Sequence, residues 1–294
     1  MEYTSDNLLE VKGLVKNYPG FRLEMDLVVP RGSIMGLVGA NGAGKSTTMR
    51  LILGLARPEG GTLQVLGCPD LNKAPALREE IGVVFDECSF PESLTPPQLG
   101  SVLGRLHPRW DPFLWKDLLE RLELPNKKAI NKFSRGMKMK LSIAAALSHR
   151  PRLLLMDEPT GGLDPMVRGE VLDLFQDFIQ DEDHGILFSS HITSDLEKVA
   201  DYITFVDKGQ ALLVEEKDTL VEVYGVLKGP AAGMDRVAPG DAIGLTATPH
   251  GFEGLVRDKA EAAKRYPDFV VDRANLEEII LFLTRESRER SNKK

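Results

Sequence analysis

Apolar and polar residues alternate in short stretches over residues 8–29, broken at Tyr18-Pro19-Gly20 and again at Pro30-Arg31-Gly32. A period of two with turn residues at the breaks predicts a small antiparallel β unit. Four runs of a different kind follow, at 34–38, 81–85, 153–156 and 186–188. They are apolar without alternation, as suits strands buried on both faces of a parallel sheet. A fifth run at 203–206 leads through Lys208-Gly209-Gln210 into 211–214, which predicts a closing hairpin.

Between the second and third runs, residues 99–149 read as helical. Leu118, Leu119 and Leu122 stand at helical spacing, and Pro151 stops the last helix. Beyond Glu216 the chain changes character, with Gly225, Gly229-Pro230, Gly233, Pro239-Gly240 and Gly251 punctuating short apolar pieces. A final helix opens at Asn275 with Glu278 three residues on, the spacing of a capping box. Its basic run at 285–294 reads as a solvated helix end. The expected division is 1–216, with a helical subdomain at about 88–150, and a small α+β accessory domain at 217–294.

Length agrees with that division, since 294 residues at roughly 150 per domain make about two domains. The formal charge of −7 argues against a protein built chiefly to bind the nucleic-acid backbone. Two cysteines, Cys68 and Cys88, make no disulfide framework and suit a reduced intracellular setting. The first residues lack the basic and apolar pattern of a secretory signal. No run approaches the ~20 apolar residues of a membrane span. The expectation is a cytoplasmic α/β protein.

The strongest chemical signal is Gly39-Ala40-Asn41-Gly42-Ala43-Gly44-Lys45-Ser46, followed by Thr47. It fits G-x-x-x-x-G-K-[ST], lies directly after a predicted buried strand and precedes a predicted helix. Backbone N–H groups of such a loop point at phosphates, and its glycines allow close approach. Lys45 is placed for the β- and γ-phosphates and the Ser46 hydroxyl for Mg²⁺. A chain of this length expects on the order of 0.01 chance matches. No Asn/Thr-Lys-x-Asp base reader of a GTPase is present.

A second apolar strand ends in two carboxylates, Asp157 and Glu158. The first suits Mg²⁺ coordination and the second suits orienting or deprotonating an attacking water. Pro159-Thr160-Gly161-Gly162-Leu163-Asp164 follows, and Phe133-Ser134-Arg135-Gly136-Met137 places Ser134 23 residues (157 − 134) before Asp157.

With GANGAGKST at Gly39, FSRGM at Phe133, LLLMDEPTGGLD at Leu153 and SSHI at Ser189, the chain resembles the ATP-binding subunits of ABC transporters over nearly all of residues 5–216. The resemblance implies a P-loop NTPase core with antiparallel β and helical subdomains, and an ATPase powering a permease carried on a separate chain. It implies that Tyr18 stacks on adenine and that Gly39, Asn41, Gly42, Ala43, Gly44, Lys45, Ser46 and Thr47 hold the phosphates. Ser134 and Gly136 would meet the γ-phosphate bound by a second copy or a paralogue in an ATP sandwich dimer, with Asp164 in the loop along that interface. Glu158 would activate water, His191 would touch the γ-phosphate as a switch, and Ser46, Asp157 and Asp86 would serve Mg²⁺. Ser194 to Glu197 reads as the capped start of a helix beside His191.

Two positions depart from the family pattern. Arg135 and Met137 stand where the signature usually has glycine and glutamine, and Arg135 reads most simply as solvent-facing. Asp86 stands where the family carries glutamine; it either approaches Mg²⁺ in the closed dimer or caps the following turn. The segment around Phe85 to Thr95 with Trp110-Asp111 looks most like bacterial peptide exporters of the bacitracin-resistance and phenol-soluble-modulin type. That resemblance implies export of peptides or amphipathic antimicrobial compounds, from the cytoplasmic face of the membrane and with no nucleic-acid partner. The alternative is a soluble ABC-type ATPase acting on nucleic acid or ribosomes. The apolar face around Ile279, Ile280 and Leu283 either packs on its own domain or joins two copies.

Overall fold

The computed structural model describes residues 7–292. The chain start and the last two lysines of the basic end, Lys293 and Lys294, lie outside the described residues. Two compact units divide between Ala211 and Leu212, a few residues before the boundary the sequence suggests.

The first unit opens on β1 (Asn7–Tyr18) and β2 (Phe21–Pro30), an antiparallel ladder that closes with Tyr18 opposite Phe21. Strand β3 (Ser33–Val38) is buried at every residue and leads through the glycine-rich loop into α1 (Lys45–Ile52). Strand β4 (Gly60–Val65) then pairs antiparallel on the other side of β1. Its sequence, GGTLQV, gives no clean alternation, so this third strand of the β unit was not expected. Next come α2 (Pro75–Arg78) and β5 (Ile81–Val84), then the helices α3 (Pro96–Leu106), α4 (Pro112–Arg121) and α5 (Arg135–Leu147). Strand β6 (Leu153–Asp157), α6 (Pro165–Phe178), β7 (Gly185–Ser190), α7 (Thr193–Val199) and β8 (Tyr202–Asp207) follow, and the division between the units falls within β9 (Gln210–Glu216).

All nine strands belong to one sheet, in the order β4-β1-β2-β9-β8-β3-β7-β6-β5. The half from β8 to β5 is parallel, and its middle strands β3, β6 and β7 have no exposed residue. That explains their unbroken apolar runs. Leu9, Leu27, Met35, Leu51, Leu155 and Leu187 belong to one core that runs from the antiparallel part into the parallel part.

The three helices of the subdomain each start on a side-chain cap. Thr95 and Gln98 form a capping box on α3, Asp111 Oδ1 accepts from the Phe113 and Leu114 N–H groups of α4, and Ser134 Oγ accepts from Met137 N–H of α5. Trp115, Leu118, Leu119 and Leu122 are all buried, as their spacing requires. Helix α7 differs from expectation. It starts at Thr193 after Ile192, which has no side chain to cap it, and Ser190 Oγ instead accepts from Ile192 N–H at 2.9 Å.

The second unit holds α8 (Lys217–Val223), β10 (Gly225–Gly229), β11 (Ile243–Thr248), β12 (Gly251–Val256), α9 (Lys259–Arg265), β13 (Val270–Arg273) and α10 (Leu276–Asn292). Its four strands form an antiparallel sheet in the order β11-β12-β10-β13. Leu227, Phe252, Val256 and Phe269 make its core, with the two phenylalanine rings edge to face at 5.1 Å. The capping box at Asn275 is formed in both directions, at 2.8 and 3.0 Å. Helix α10 packs on β11 and β12 and buries Leu276, Ile279, Phe282 and Leu283 within its own unit. Of the face that suggested a second copy, half-buried Ile280 and exposed Leu281 remain. No helix among the described residues is long and apolar enough to cross a membrane.

Candidate active site

Parallel register brings four loops to one edge of the sheet. Val38 pairs with Ser190, Asp157 with Ser189 and Val84 with Met156, so the residues that follow these strands emerge side by side. They include Gly39, Glu158, His191 and Asp86. This is where parallel α/β sheets place their ligands, beyond the carboxyl ends of the strands.

The loop from Gly39 to Gly44 bends tightly enough to need its glycines. A Cβ on Gly39 would stand 2.3 Å from the Val206 carbonyl oxygen, and Gly44 has φ +121° beside Leu23 and Phe21. Helix α1 begins at Lys45, and its first intrahelical bond runs from Thr48 N–H to Gly44 O. The N–H groups of Lys45, Ser46 and Thr47 thus lie in the first turn, where a helix presents unbonded donors and the positive end of its dipole. Asn41, Gly42, Gly44, Lys45, Ser46 and Thr47 line a cavity of about 390 Å³. Phe21, Asp86, Asp157 and Glu158 complete its wall.

The Lys45 side chain is 5% exposed. Its Nζ donates to Gly39 O at 2.7 Å and to Ala40 O at 3.3 Å, and makes an ion pair with Glu158 Oε1 at 3.0 Å. The other Glu158 oxygen faces His191, with Nδ1 at 2.6 Å and the backbone N–H at 3.3 Å. Glu158 itself has φ +52°, a conformation that L residues adopt only when their surroundings hold them. Two bonds do so here: its N–H donates to Ser189 O at 3.1 Å and to Ser189 Oγ at 3.0 Å. The same Ser189 hydroxyl donates to Asp157 Oδ1 at 2.6 Å. Asp157 is buried, and Ser189 fixes one of its oxygens while the carboxylate lines the cavity.

Three carboxylates, Asp86, Asp157 and Glu158, face this cavity against one ammonium, that of Lys45. Together with Ser46 Oγ they form an oxygen-only donor set, which suits a hard divalent cation such as Mg²⁺. Asp86 is exposed, and among the described residues no turn N–H is bonded to it. The turn-capping alternative therefore has no bond to rest on.

Some expected site residues lie elsewhere. Ser134, Gly136 and Asp164 do not line the cavity. Ser134 is the cap of α5, and Asp164 caps α6 by accepting from Met166 and Val167 N–H at 3.1 Å. Gly136 lets α5 approach Val167, whose side chain would be 3.3 Å from an added Cβ. Arg135 is exposed but does not simply face solvent. Its guanidinium lies over Gly162, where an added Cβ would meet Nη1 at 2.9 Å. Tyr18 is 42% exposed at the hairpin tip, with its ring 6.5 Å from that of Phe21. Phe21, rather than Tyr18, lines the cavity.

Phe21 and Ser189 are the two contributors that the sequence did not single out. Phe21 carried a signal, an aromatic residue opposite Tyr18 across the turn. Ser189 carried only its place two residues before His191.

The sequence pattern of the ABC transporter family matches residues 23–161. The ABC transporter ATP-binding protein YtrB of Bacillus subtilis is 32% identical over 219 residues, 74% of this chain and 75% of that protein. The daunorubicin resistance ATP-binding protein DrrA3 of Streptomyces coeruleorubidus is 30% identical and covers 97% of this chain and 98% of its own. The bacitracin transport ATP-binding protein BcrA of Enterococcus faecalis is 34% identical over 74% of this chain and 70% of its own. A solved structure of the ATP-binding subunit of an ABC transporter superposes with a TM-score of 0.66 at 30% identity, covering 72% of this chain and 91% of that one. Fold, loop geometry and these relatives agree: the chain belongs to the ATP-binding subunits of ABC transporters, P-loop ATPases whose ATP hydrolysis is coupled to transport.

Proposed function

We propose that this subunit binds ATP between β3 and α1 and hydrolyses it with Glu158 as the base that orients and deprotonates the attacking water. The observation that carries this is the position of Glu158. One carboxylate oxygen faces Lys45 and the other faces His191 at the mouth of the phosphate loop. For catalysis Lys45 Nζ exchanges Glu158 for phosphate oxygens, which frees a carboxylate lone pair for water. His191 donates to the γ-phosphate, and Ser189 keeps Asp157 and Glu158 in their relative places. Ser46, Asp157 and, in the closed arrangement, Asp86 would hold Mg²⁺, which offsets phosphate charge.

Tyr18 and Phe21 offer aromatic surface for the adenine. Ser134 and Gly136, at the N-terminus of a helix of 13 residues, supply N–H donors to the γ-phosphate of a second copy or paralogue, with Asp164 along the same interface. That none of the three lines the Lys45 cavity supports a dimer in which each site draws on both chains. The subunit works at the cytoplasmic face, bound to a permease on another chain. Relatives named for bacitracin, lantibiotic and daunorubicin handling support export of peptides or amphipathic antimicrobial compounds.

Glu158→Gln tests the central role. ATP binding is expected to persist while kcat falls about 10²- to 10⁴-fold, and an ATP-stabilised dimer accumulates in sedimentation. Turnover close to that of the unaltered chain removes Glu158 from the mechanism.

A further inference from the structure

We propose that Glu79, His107 and His149 form a binding site for a transition-metal cation of the Zn²⁺ type, separate from the ATP cavity. The three come from different elements of the first unit. Glu79 closes α2 and stands two residues before β5, His107 is the residue after α3, and His149 follows α5. One donor atom from each lies within 4.8 Å of the others.

The hydrogen bonds around this cluster prepare it for a metal. His149 is 4% exposed, and its Nδ1 lies 3.0 Å from the Glu79 carbonyl oxygen. A carbonyl only accepts, so the proton is on Nδ1 and Nε2 carries a lone pair. Metal-bound histidines are oriented in this way, by donating the other ring N–H to a carbonyl or carboxylate. Glu79 contributes twice. Its carbonyl orients His149, and its carboxylate oxygen stands 3.2 Å from His107 Nδ1.

That last spacing matters. Two ligands on a tetrahedral zinc, with bonds of about 2.0–2.1 Å, are separated by about 3.3 Å. The Glu79–His107 pair is already at that separation. The two separations to His149, each at most 4.8 Å, must close by up to about 1.5 Å on binding. His107 is the ring able to move. It is half-buried at a helix end and stacks on His149 at 4.7 Å, whereas His149 is anchored.

Charge near the cluster is balanced, because Glu80 pairs with Arg152 at 2.9 Å and with Arg109 at 4.0 Å. Two imidazoles and one carboxylate, with a water as fourth ligand, suit zinc and not magnesium. Bound there, the cation would tie the ends of α3 and α5 to the residue leading into β5, the strand whose far end carries Asp86.

The test is calorimetric titration of the untagged, chelator-treated full chain with ZnCl₂, with Mg²⁺ present in excess. One equivalent of Zn²⁺ is expected to bind. His149→Ala, His107→Ala and Glu79→Gln should each weaken binding at least tenfold, while a Cys68→Ser/Cys88→Ser double variant should bind as the unaltered chain does. Each variant is first checked for unchanged ATP binding. His107→Ala and Glu79→Gln alter half-buried side chains, so they decide the matter even if His149→Ala does not fold. Absence of stoichiometric binding overturns the proposal. So does binding that survives both of those substitutions or disappears with the two cysteines.

Discussion

Ser189 holds two neighbouring carboxylate residues by different atoms. Its hydroxyl reaches Asp157 Oδ1 and accepts from the N–H of Glu158, whose backbone is in a left-handed conformation. Ser189→Ala removes a buried hydrogen bond to a charged group, an effect of about 1.5–3 kcal/mol. The expected outcome is a roughly tenfold loss of kcat and a higher Mg²⁺ requirement, with ATP affinity little changed, read from ATPase assays at varied Mg²⁺. Asp86 makes a complementary case. If its carboxylate reaches the metal, Asp86→Asn and Asp86→Ala both need more Mg²⁺ for half-maximal activity. Three coincident Mg²⁺ curves would leave Asp86 without that role. Its shorter, charged side chain, in place of the family's glutamine, makes the comparison with Asn informative: Asn keeps the length and loses only the charge.

Elements differ in how openly their residues announce them. Strands β3, β6 and β7 were legible because burial on both faces leaves nothing polar to interrupt the run. The capping box of α10 was legible because both partners are local. Strand β4 was not, since its residues are mostly partly or fully exposed and its place is set by β1 far back in the chain. For the same reason the phosphate loop could be read from contiguous residues, but Phe21 enters the site only through the packing of a distant hairpin on Gly44. Helix α4 provides a test of local capping. Its cap, Asp111, accepts from Leu114 and Phe113 N–H and meets Arg150 at 2.7 Å. The Leu114 N–H bond first, and then Arg150, hold this carboxyl below its ordinary pKa. A lowered carboxylate pKa adds stability above the unfolded value of about 3.9, and that stability is lost as pH falls through the native value. Asp111→Asn should therefore lower Tm at neutral pH and flatten the fall in Tm on acidification below about pH 4. Parallel melting curves with and without the substitution at every pH would contradict this.

At the scale of the molecule, each of the two units has a hydrophobic core of its own. Phe252, buried to 2% exposure against Phe269, belongs wholly to the second. Phe252→Ala is expected to cost that unit about 3–5 kcal/mol. Differential scanning calorimetry should show the loss in a transition separate from the one that ATP raises, and ATP affinity should not change. A single shifted transition with weakened ATP binding would show that the cores do not unfold independently. The burial of Ile279 and Leu283 beneath α10 carries a related expectation, since those side chains are already in use within their own unit. Removing residues from 217 onward should therefore leave ATP-dependent dimer formation in place, as measured by sedimentation.

The flush edge formed by β3, β5, β6 and β7 also limits how this gene can change in length. Each residue in a strand advances the chain by about 3.3 Å, and side chains alternate between faces. Losing one codon from β6 would draw Asp157 back by one rung beside Ser189 and turn its neighbours to the opposite side of the sheet. No compensating change in the adjacent strands could restore both depth and facing. Insertions and deletions are therefore expected to survive in connections that carry no site residue, such as the approach to α3 after Pro91 or the turn between α6 and β7. The four strands should keep their lengths. A deletion scan across the coding sequence, scored by ATPase activity, would show tolerance ending abruptly at the borders of those strands.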